Sequence, residues 1–203
     1  MGPHMLKLRG QVQTRNTTAT QPLMAQITCN SQLPAVMRRK AALLLKGEEL
    51  LQLTADRFSA LRGLRPFSGV LLCGSDEVLA AAVEATVGLP DVYLLPEDYA
   101  YLEEGDIVRL SPKGASISTL FRKSSPSNSI LLTERCNHLC LMCSQPPKRA
   151  DDSWLLDDAF ELIQMIPPHT ANIGLTGGEP TLYGNRFIDL VEAAKLNLPD
   201  TAL

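Results

Sequence analysis

Three cysteines fall within eight residues, at Cys136, Cys140 and Cys143 in the stretch CNHLCLMC. No other feature narrows so far what this chain can fold into. A lone cysteine is ordinarily a small, inert hydrophobe, but three at C-x3-C-x2-C spacing are hard to place as packing. Three thiolates on one short loop can hold three corners of a cubane iron–sulfur cluster and leave the fourth iron open to a small molecule. A structural zinc site usually takes four ligands, often as two C-x2-C pairs. The second pair is missing here, so zinc would need His138, inside the loop, or a distant residue. The spacing leaves iron–sulfur, zinc and plain packing open, and favours the first.

The flanking residues predict where this loop sits. An apolar strand is predicted at 129–133, just upstream. Downstream, Ser153 can cap a helix whose apolar positions are Leu155, Leu156, Ala159, Phe160, Leu162 and Ile163, ending at Pro167-Pro168. Asp157 and Asp158 lie in its early turns, where the helix dipole favours them. A second strand is predicted at 172–176, followed by Gly177-Gly178-Glu179-Pro180 and a helix at about 186–196. Strands alternating with helices predict parallel pairing and right-handed crossovers, with chemistry at the carboxyl ends of the strands. Both motifs occupy such ends. Adjacent parallel strands lie ~5 Å apart, so the two loops are expected to be neighbours.

Upstream, residues 6–128 are expected to form an N-terminal accessory domain, after a tag scar at 1–5. Residues 6–30 read as an edge strand or a polar leader. Helical signals run over 34–64, from Val36, Ala41, Leu44 and Leu45 through Leu50, Leu51 and Leu53. Thr54 is a possible N-cap there, and Phe58, Leu61 and Leu64 share one face. Arg38-Arg39-Lys40 is expected on a solvated helix face. A strand at 69–73, a turn at Gly74-Ser75-Asp76, a helix at 77–87 and a strand at 92–95 make one α/β unit. Its turn lacks a phosphate-binding glycine pattern. Strands at 107–110 and 115–121 flank Ser111-Pro112-Lys113-Gly114 as a hairpin. Cys29 and Cys73 have no partner at ligand spacing and read as plain thiols. The polar segment 124–129 breaks both periodicities and marks the boundary before a second domain, 129–203.

Composition removes several classes of function. The formal net charge of −3 supplies no basic field for nucleic acid, which is not expected as a partner. Five cysteines, an odd number with three clustered, argue against a secreted disulfide framework and for a reducing compartment. No apolar run approaches the ~20 residues that span a bilayer. The first residues lack the apolar core of a signal peptide. A cytoplasmic protein without a membrane partner is expected.

CNHLCLMC followed by GGEP after the next strand resembles the radical S-adenosylmethionine superfamily. That family's pattern is C-x3-C-x-Φ-C with Φ usually aromatic; Met142 stands at Φ here. The resemblance implies an α/β protein: an N-terminal mixed α/β domain with a small β-hairpin region, then a partial (β/α)6 TIM-like barrel. The barrel would hold a 4Fe-4S cluster and S-adenosyl-L-methionine. By the same resemblance, Cys136, Cys140 and Cys143 ligate three irons. Gly177, Gly178, Glu179 and Pro180 line the site of the methionyl amino group, and Met142 packs beside the adenine. No catalytic residue is assigned beyond the cluster. Only two β/α units follow residue 128, too few to close a barrel; a fragment with a truncated barrel is the favoured expectation, beside completion by a second chain and a different, smaller fold.

Residues 132–148, with Glu104-Gly105-Asp106 upstream, resemble more narrowly the His-Xaa-Ser system radical S-adenosylmethionine maturase. That resemblance implies a post-translational modification of a ribosomally made peptide, a sister maturase and an external electron donor. Two other readings stand beside it: a radical enzyme acting on a small molecule or nucleobase, and a non-enzymatic zinc or iron–sulfur module.

Overall fold

The computed structural model describes residues 7–46, 50, 67–138, 140–143 and 146–203. The chain is mixed α/β and divides into two units, Met1–Lys123 and Ser124–Leu203. The first carries eight strands: β1 (Arg9–Gln11), β2 (Gln13–Arg15), β3 (Leu23–Thr28), β4 (Ala41–Lys46), β5 (Gly69–Cys73), β6 (Val92–Leu95), β7 (Ile107–Ser111) and β8 (Ser116–Phe121). A helix, α1 (Asp76–Ala85), links β5 to β6.

The eight strands form one sheet in the order β1-β8-β7-β3-β4-β5-β6-β2. β3 to β6 run parallel to one another, β7 pairs antiparallel with β3, and β8 pairs antiparallel with β7. β1 pairs with β8 at one end of the sheet and β2 with β6 at the other, although only Val12 separates them in sequence. The short segment 9–15 therefore bridges the two ends, and the sheet is nearly closed, like a barrel. The expected hairpin is thus part of this sheet rather than a separate small region.

The expected helix over residues 34–64 is corrected at its centre. Ala41, Ala42, Leu43, Leu44 and Leu45 are all buried and form β4. Alternate residues feed opposite faces. Ala41, Leu43 and Leu45 join Val70, Leu72, Val92 and Leu94 on the side that α1 covers. Ala42 and Leu44 join Leu71, Tyr93, Leu95, Val108 and Leu110 on the other side. A strand buried on both faces reads as a continuous apolar run, which periodicity alone does not separate from a helix. Arg38 is likewise not on a solvated face. It lies in a 3-10 turn (Arg38–Lys40), is buried, and stacks 4.8 Å from the Phe67 ring. Its Nε donates to the Leu33 carbonyl at 2.7 Å. The expectations for Leu51, Leu53, Thr54, Phe58, Leu61 and Leu64 fall outside the described residues, as does the tag scar.

The second unit runs β9 (Asn128–Thr133), α2 (Trp154–Met165), β10 (Ile173–Gly177), a 3-10 turn (Pro180–Tyr183) and α3 (Asn185–Asn197). β9 and β10 pair in parallel, with Ile173 opposite Asn128 and Gly177 opposite Thr133. α2 buries Leu156, Ala159, Leu162 and Ile163, a stripe at helical spacing, and packs on β9 and α3. Ser153 precedes α2 but makes no side-chain cap; its amide donates to Asp151 Oδ1 at 3.0 Å. Arg186 of α3 and Asp157 of α2 pair at 2.5 Å on the surface, a contact worth at most about 1 kcal/mol. On the outer side of β10, Asn172 bridges Ala202 in parallel.

Candidate metal and cofactor site

Parallel pairing of β9 and β10 delivers the two motifs to the same end of the sheet, as the alternating pattern predicts. They are also stitched together by their backbones. The Gly178 amide donates to the Thr133 carbonyl at 2.9 Å, and the Glu179 amide donates to the Arg135 carbonyl at 2.8 Å. Between them, the Glu134 carbonyl accepts the Lys148 amide at 3.0 Å. Three successive carbonyls just before Cys136 are therefore all satisfied by the surrounding loops.

This closeness requires glycine. Gly177 has φ +151°, and a Cβ there would collide with the Thr133 carbonyl oxygen. A Cβ on Gly178 would collide with the Arg135 carbonyl oxygen and approach Cys136 Cβ to 3.0 Å. The absence of side chains at both positions is what lets one loop lie against the other.

The cysteine loop closes on itself. The Lys148 ammonium pairs with Glu134 Oε1 at 2.5 Å, and Arg135 bridges Lys148 in parallel. Within the loop the Cys143 amide donates to the Cys140 carbonyl at 3.1 Å. The His138 amide donates to Cys136 Sγ at 3.3 Å. Cys136 is half-buried, Cys140 and Cys143 are exposed, and none of the five cysteines is in a disulfide.

Cys136, Cys140, Cys143, Gly177 and Gly178 all line one cavity of about 790 Å³, together with Leu131, Thr133, Glu134, His138, Lys148 and Thr176. Met142, Glu179 and Pro180 are not in its lining. Met142 stands out at the loop tip, 93% exposed, beside an equally exposed Leu141. Pro180 opens the following 3-10 turn. As placed, no three His, Cys, Asp or Glu side chains among the described residues form a group that could hold a metal ion. The match to a cluster is one of donor chemistry and room: three soft thiol donors, without a protein-supplied fourth at ligand spacing, on a cavity edged by bare backbone.

Glu179 is an ionised acceptor held in place. Its Oε1 accepts from the Thr181 hydroxyl at 2.6 Å and the Thr181 amide at 3.0 Å, and these bonds, with the nearby His138, hold its carboxyl below the usual range. His138 Nε2 lies 3.4 Å from Glu179 Oε2, so the imidazole faces the glycine loop.

Sequence reasoning missed Asp152. It is 6% exposed and sits where the cysteine loop meets α2. Its carboxylate accepts from the Thr133 hydroxyl at 3.0 Å, the Glu134 amide at 2.5 Å and the Tyr183 hydroxyl at 2.9 Å. Burial alone would raise its pKa. The hydrogen bonds from Glu134, Tyr183 and Thr133, with the charge of Arg135, outweigh that and lower it. A charged residue just before a helix start gives no signal in the sequence of a long-range role.

Cys29 is exposed and Cys73 is buried in the first unit, where burial pushes its thiol up to about 11. Neither belongs to the cavity. Among the described residues no helix is long and apolar enough to cross a membrane. Comparison of the chain with protein-family profiles, with curated proteins and with solved structures gives no match.

Proposed function

We propose that the second unit is the cluster- and cofactor-binding start of a radical S-adenosylmethionine enzyme that modifies a ribosomally made peptide. One observation carries this reading: the amides of Gly178 and Glu179 are bonded to the carbonyls of Thr133 and Arg135, immediately before Cys136. The cysteine loop and the Gly-Gly-Glu-Pro loop are thereby held as a single site.

In this reading the thiolates of Cys136, Cys140 and Cys143 hold three irons of a 4Fe-4S cluster. Gly177 and Gly178 leave room for the cofactor's methionyl end, and ionised Glu179 with exposed carbonyls attracts its ammonium group. Met142, at the loop tip, packs beside the adenine, as a thioether can. The chemistry the bound groups would supply is one-electron reductive cleavage of a sulfonium C–S bond, giving methionine and a 5′-deoxyadenosyl radical. The chain's own part is to fix the three sulfurs and to orient the cofactor. β9–α2–β10–α3 would be the first two units of a partial (β/α)6 barrel, and the bridge of Ala202 to Asn172 lies where a third parallel strand would begin. The peptide substrate, a sister maturase and an external electron donor rest on the resemblance of residues 132–148 and Glu104-Gly105-Asp106 to the His-Xaa-Ser maturase.

Anaerobic reconstitution with iron and sulfide tests the reading. Support is about four irons per chain, a reduced-state electron-spin spectrum that changes when S-adenosylmethionine is added, and 5′-deoxyadenosine under dithionite. Bound zinc in place of iron, or a cluster spectrum indifferent to the cofactor, overturns it in favour of a non-enzymatic module. Release of 5′-deoxyadenosine stimulated by a nucleobase or small molecule, and not by peptide, overturns the substrate class alone.

A further inference from the structure

We infer that Asp152 is a positioning residue that fixes the cysteine loop against the Gly-Gly-Glu-Pro loop. The inference rests on the proposed function only for what the two loops hold; the tie between them stands by itself.

The carboxylate is the common acceptor for three separate elements. Both of its oxygens lie 3.0 Å from the Thr133 hydroxyl at the end of β9. Oδ2 takes the Glu134 amide at 2.5 Å, two residues before Cys136. Oδ1 takes the Tyr183 hydroxyl at 2.9 Å, from the turn that follows Pro180. Thr133 passes the restraint on, because its hydroxyl oxygen also accepts the Arg135 amide at 3.0 Å. Asp152 itself ends the cysteine loop, so both ends of that loop and the far side of the glycine loop converge on one buried group. Charge-assisted bonds of this kind are about twice as strong as neutral ones. Removing the acceptor would leave Thr133, Glu134 and Tyr183 with donors in an enclosed place. Asp152 reaches no cavity-lining thiol, so its effect on chemistry would pass through the backbone at 133–135 and through Tyr183.

The test uses the full chain with Asp152→Asn, Tyr183→Phe, Thr133→Val and Thr133→Ser. Amide hydrogen exchange is read on the protein without iron, then cofactor binding on the reconstituted protein by the cofactor-induced change in the electron-spin spectrum. Asp152→Asn should speed exchange about 10-fold, the equivalent of one charge-assisted bond, at residues 134–138 and 178–183 while α2 keeps its protection. Thr133→Val should do so at 134–138, and Thr133→Ser, which keeps the hydroxyl, should match the unaltered chain. Iron content should stay unchanged while the cofactor midpoint rises about 10-fold in Asp152→Asn. Tyr183→Phe removes one bond only and serves if Asp152→Asn does not fold; it should move the 178–183 window alone. Unaltered exchange in both windows, loss of α2 protection together with them, or an unmoved cofactor midpoint overturns the inference. If the unaltered chain takes up no iron, the proposed function fails and the exchange data alone decide the role of Asp152.

Discussion

The Glu179 amide lies 2.8 Å from the Arg135 carbonyl, to which it donates, so the acidic residue of one motif is bonded to the residue that precedes the first cysteine of the other. This bond is made of backbone groups brought within reach by Gly177 and Gly178. Any Cβ at 178 must displace the Arg135 carbonyl that accepts the Glu179 amide.

Gly178→Ala should therefore destabilise the second unit by about 1–3 kcal/mol, the usual range for forcing an extra methyl into a close-packed place. The damage should be local to the two loops. Urea unfolding followed by the fluorescence of Trp154, the single tryptophan, reports it, and an unchanged midpoint would show that the loops do not meet as described.

The second unit was largely legible because each of its strands ends in a motif. The strand expected at 172–176 is Ile173–Gly177, and the helix started after Ser153 is Trp154–Met165. Both have one clear apolar face and a proline or glycine stop. In the first unit the hairpin strands were legible from the turn between them, and Gly69–Cys73, although buried on both faces, from the Gly74-Ser75-Asp76 turn that stops it. Ala41–Lys46 was not, because Leu43 and Leu44 are buried on opposite sides of the sheet and no polar residue marks the alternation. Closure of the sheet by 9–15 was illegible too, since three-residue strands of Arg, Gly, Gln and Thr carry no hydrophobic pattern. At the site, the cysteines and glycines announced themselves by spacing. Asp152 did not, because its partners, Thr133 and Tyr183, lie 19 and 31 residues away.

Leu44 gives a direct check on the corrected element. It is fully buried in the inner cluster with Leu71 and Leu110, and Leu44→Ala should cost about 2–5 kcal/mol by loss of packing and creation of a cavity. Denaturant unfolding followed by far-ultraviolet circular dichroism measures this. A cost below about 0.5 kcal/mol, the size expected of a surface change, would be incompatible with burial there.

The cysteines divide into two sets with different expected behaviour. Serine at 136, 140 or 143 should each abolish retention of iron after anaerobic reconstitution, since a cubane held at three corners loses a third of its anchorage with one sulfur. Serine at 29 or 73 should leave iron content unchanged, because one is exposed and the other is buried in the first unit. Iron and sulfide analysis of all five variants distinguishes this from a zinc site that recruits a distant cysteine.

Glu179→Gln keeps the shape of the side chain and removes its charge. If the carboxylate attracts the ammonium group of the cofactor, the cofactor midpoint should rise about 10-fold, in keeping with one lost charge-assisted bond, with iron content unaltered. Titration of the reduced-state electron-spin spectrum reads both quantities on one sample. Loss of iron instead would place Glu179 in the support of the cysteine loop, through His138 at 3.4 Å.

Two buried carboxylates, one in each unit, should give opposite pH dependences. Burial would raise Asp152, but its hydrogen bonds from Glu134, Tyr183 and Thr133 prevail and hold it below its ordinary value of 3.8. Between the lowered value and 3.8 the unfolded chain binds the extra proton, so stability rises with pH. The contribution of Asp152 is therefore complete above the ordinary carboxylate range and is lost as pH falls through its folded value. Asp106 goes the other way. It is fully buried, and burial raises its pKa against the opposing bonds from the Lys123 and Glu103 amides. Its contribution is complete below 3.8 and is lost as pH rises through its folded value. The deficit of Asp152→Asn relative to the unaltered chain should then shrink toward acid pH, whereas that of Asp106→Asn should shrink toward neutral pH. Urea unfolding between about pH 3 and pH 7, with Trp154 fluorescence reporting on the second unit and far-ultraviolet circular dichroism on the whole chain, compares the two slopes. Deficits that change in the same direction would mean that the hydrogen bonds do not prevail at Asp152 or that burial does not prevail at Asp106.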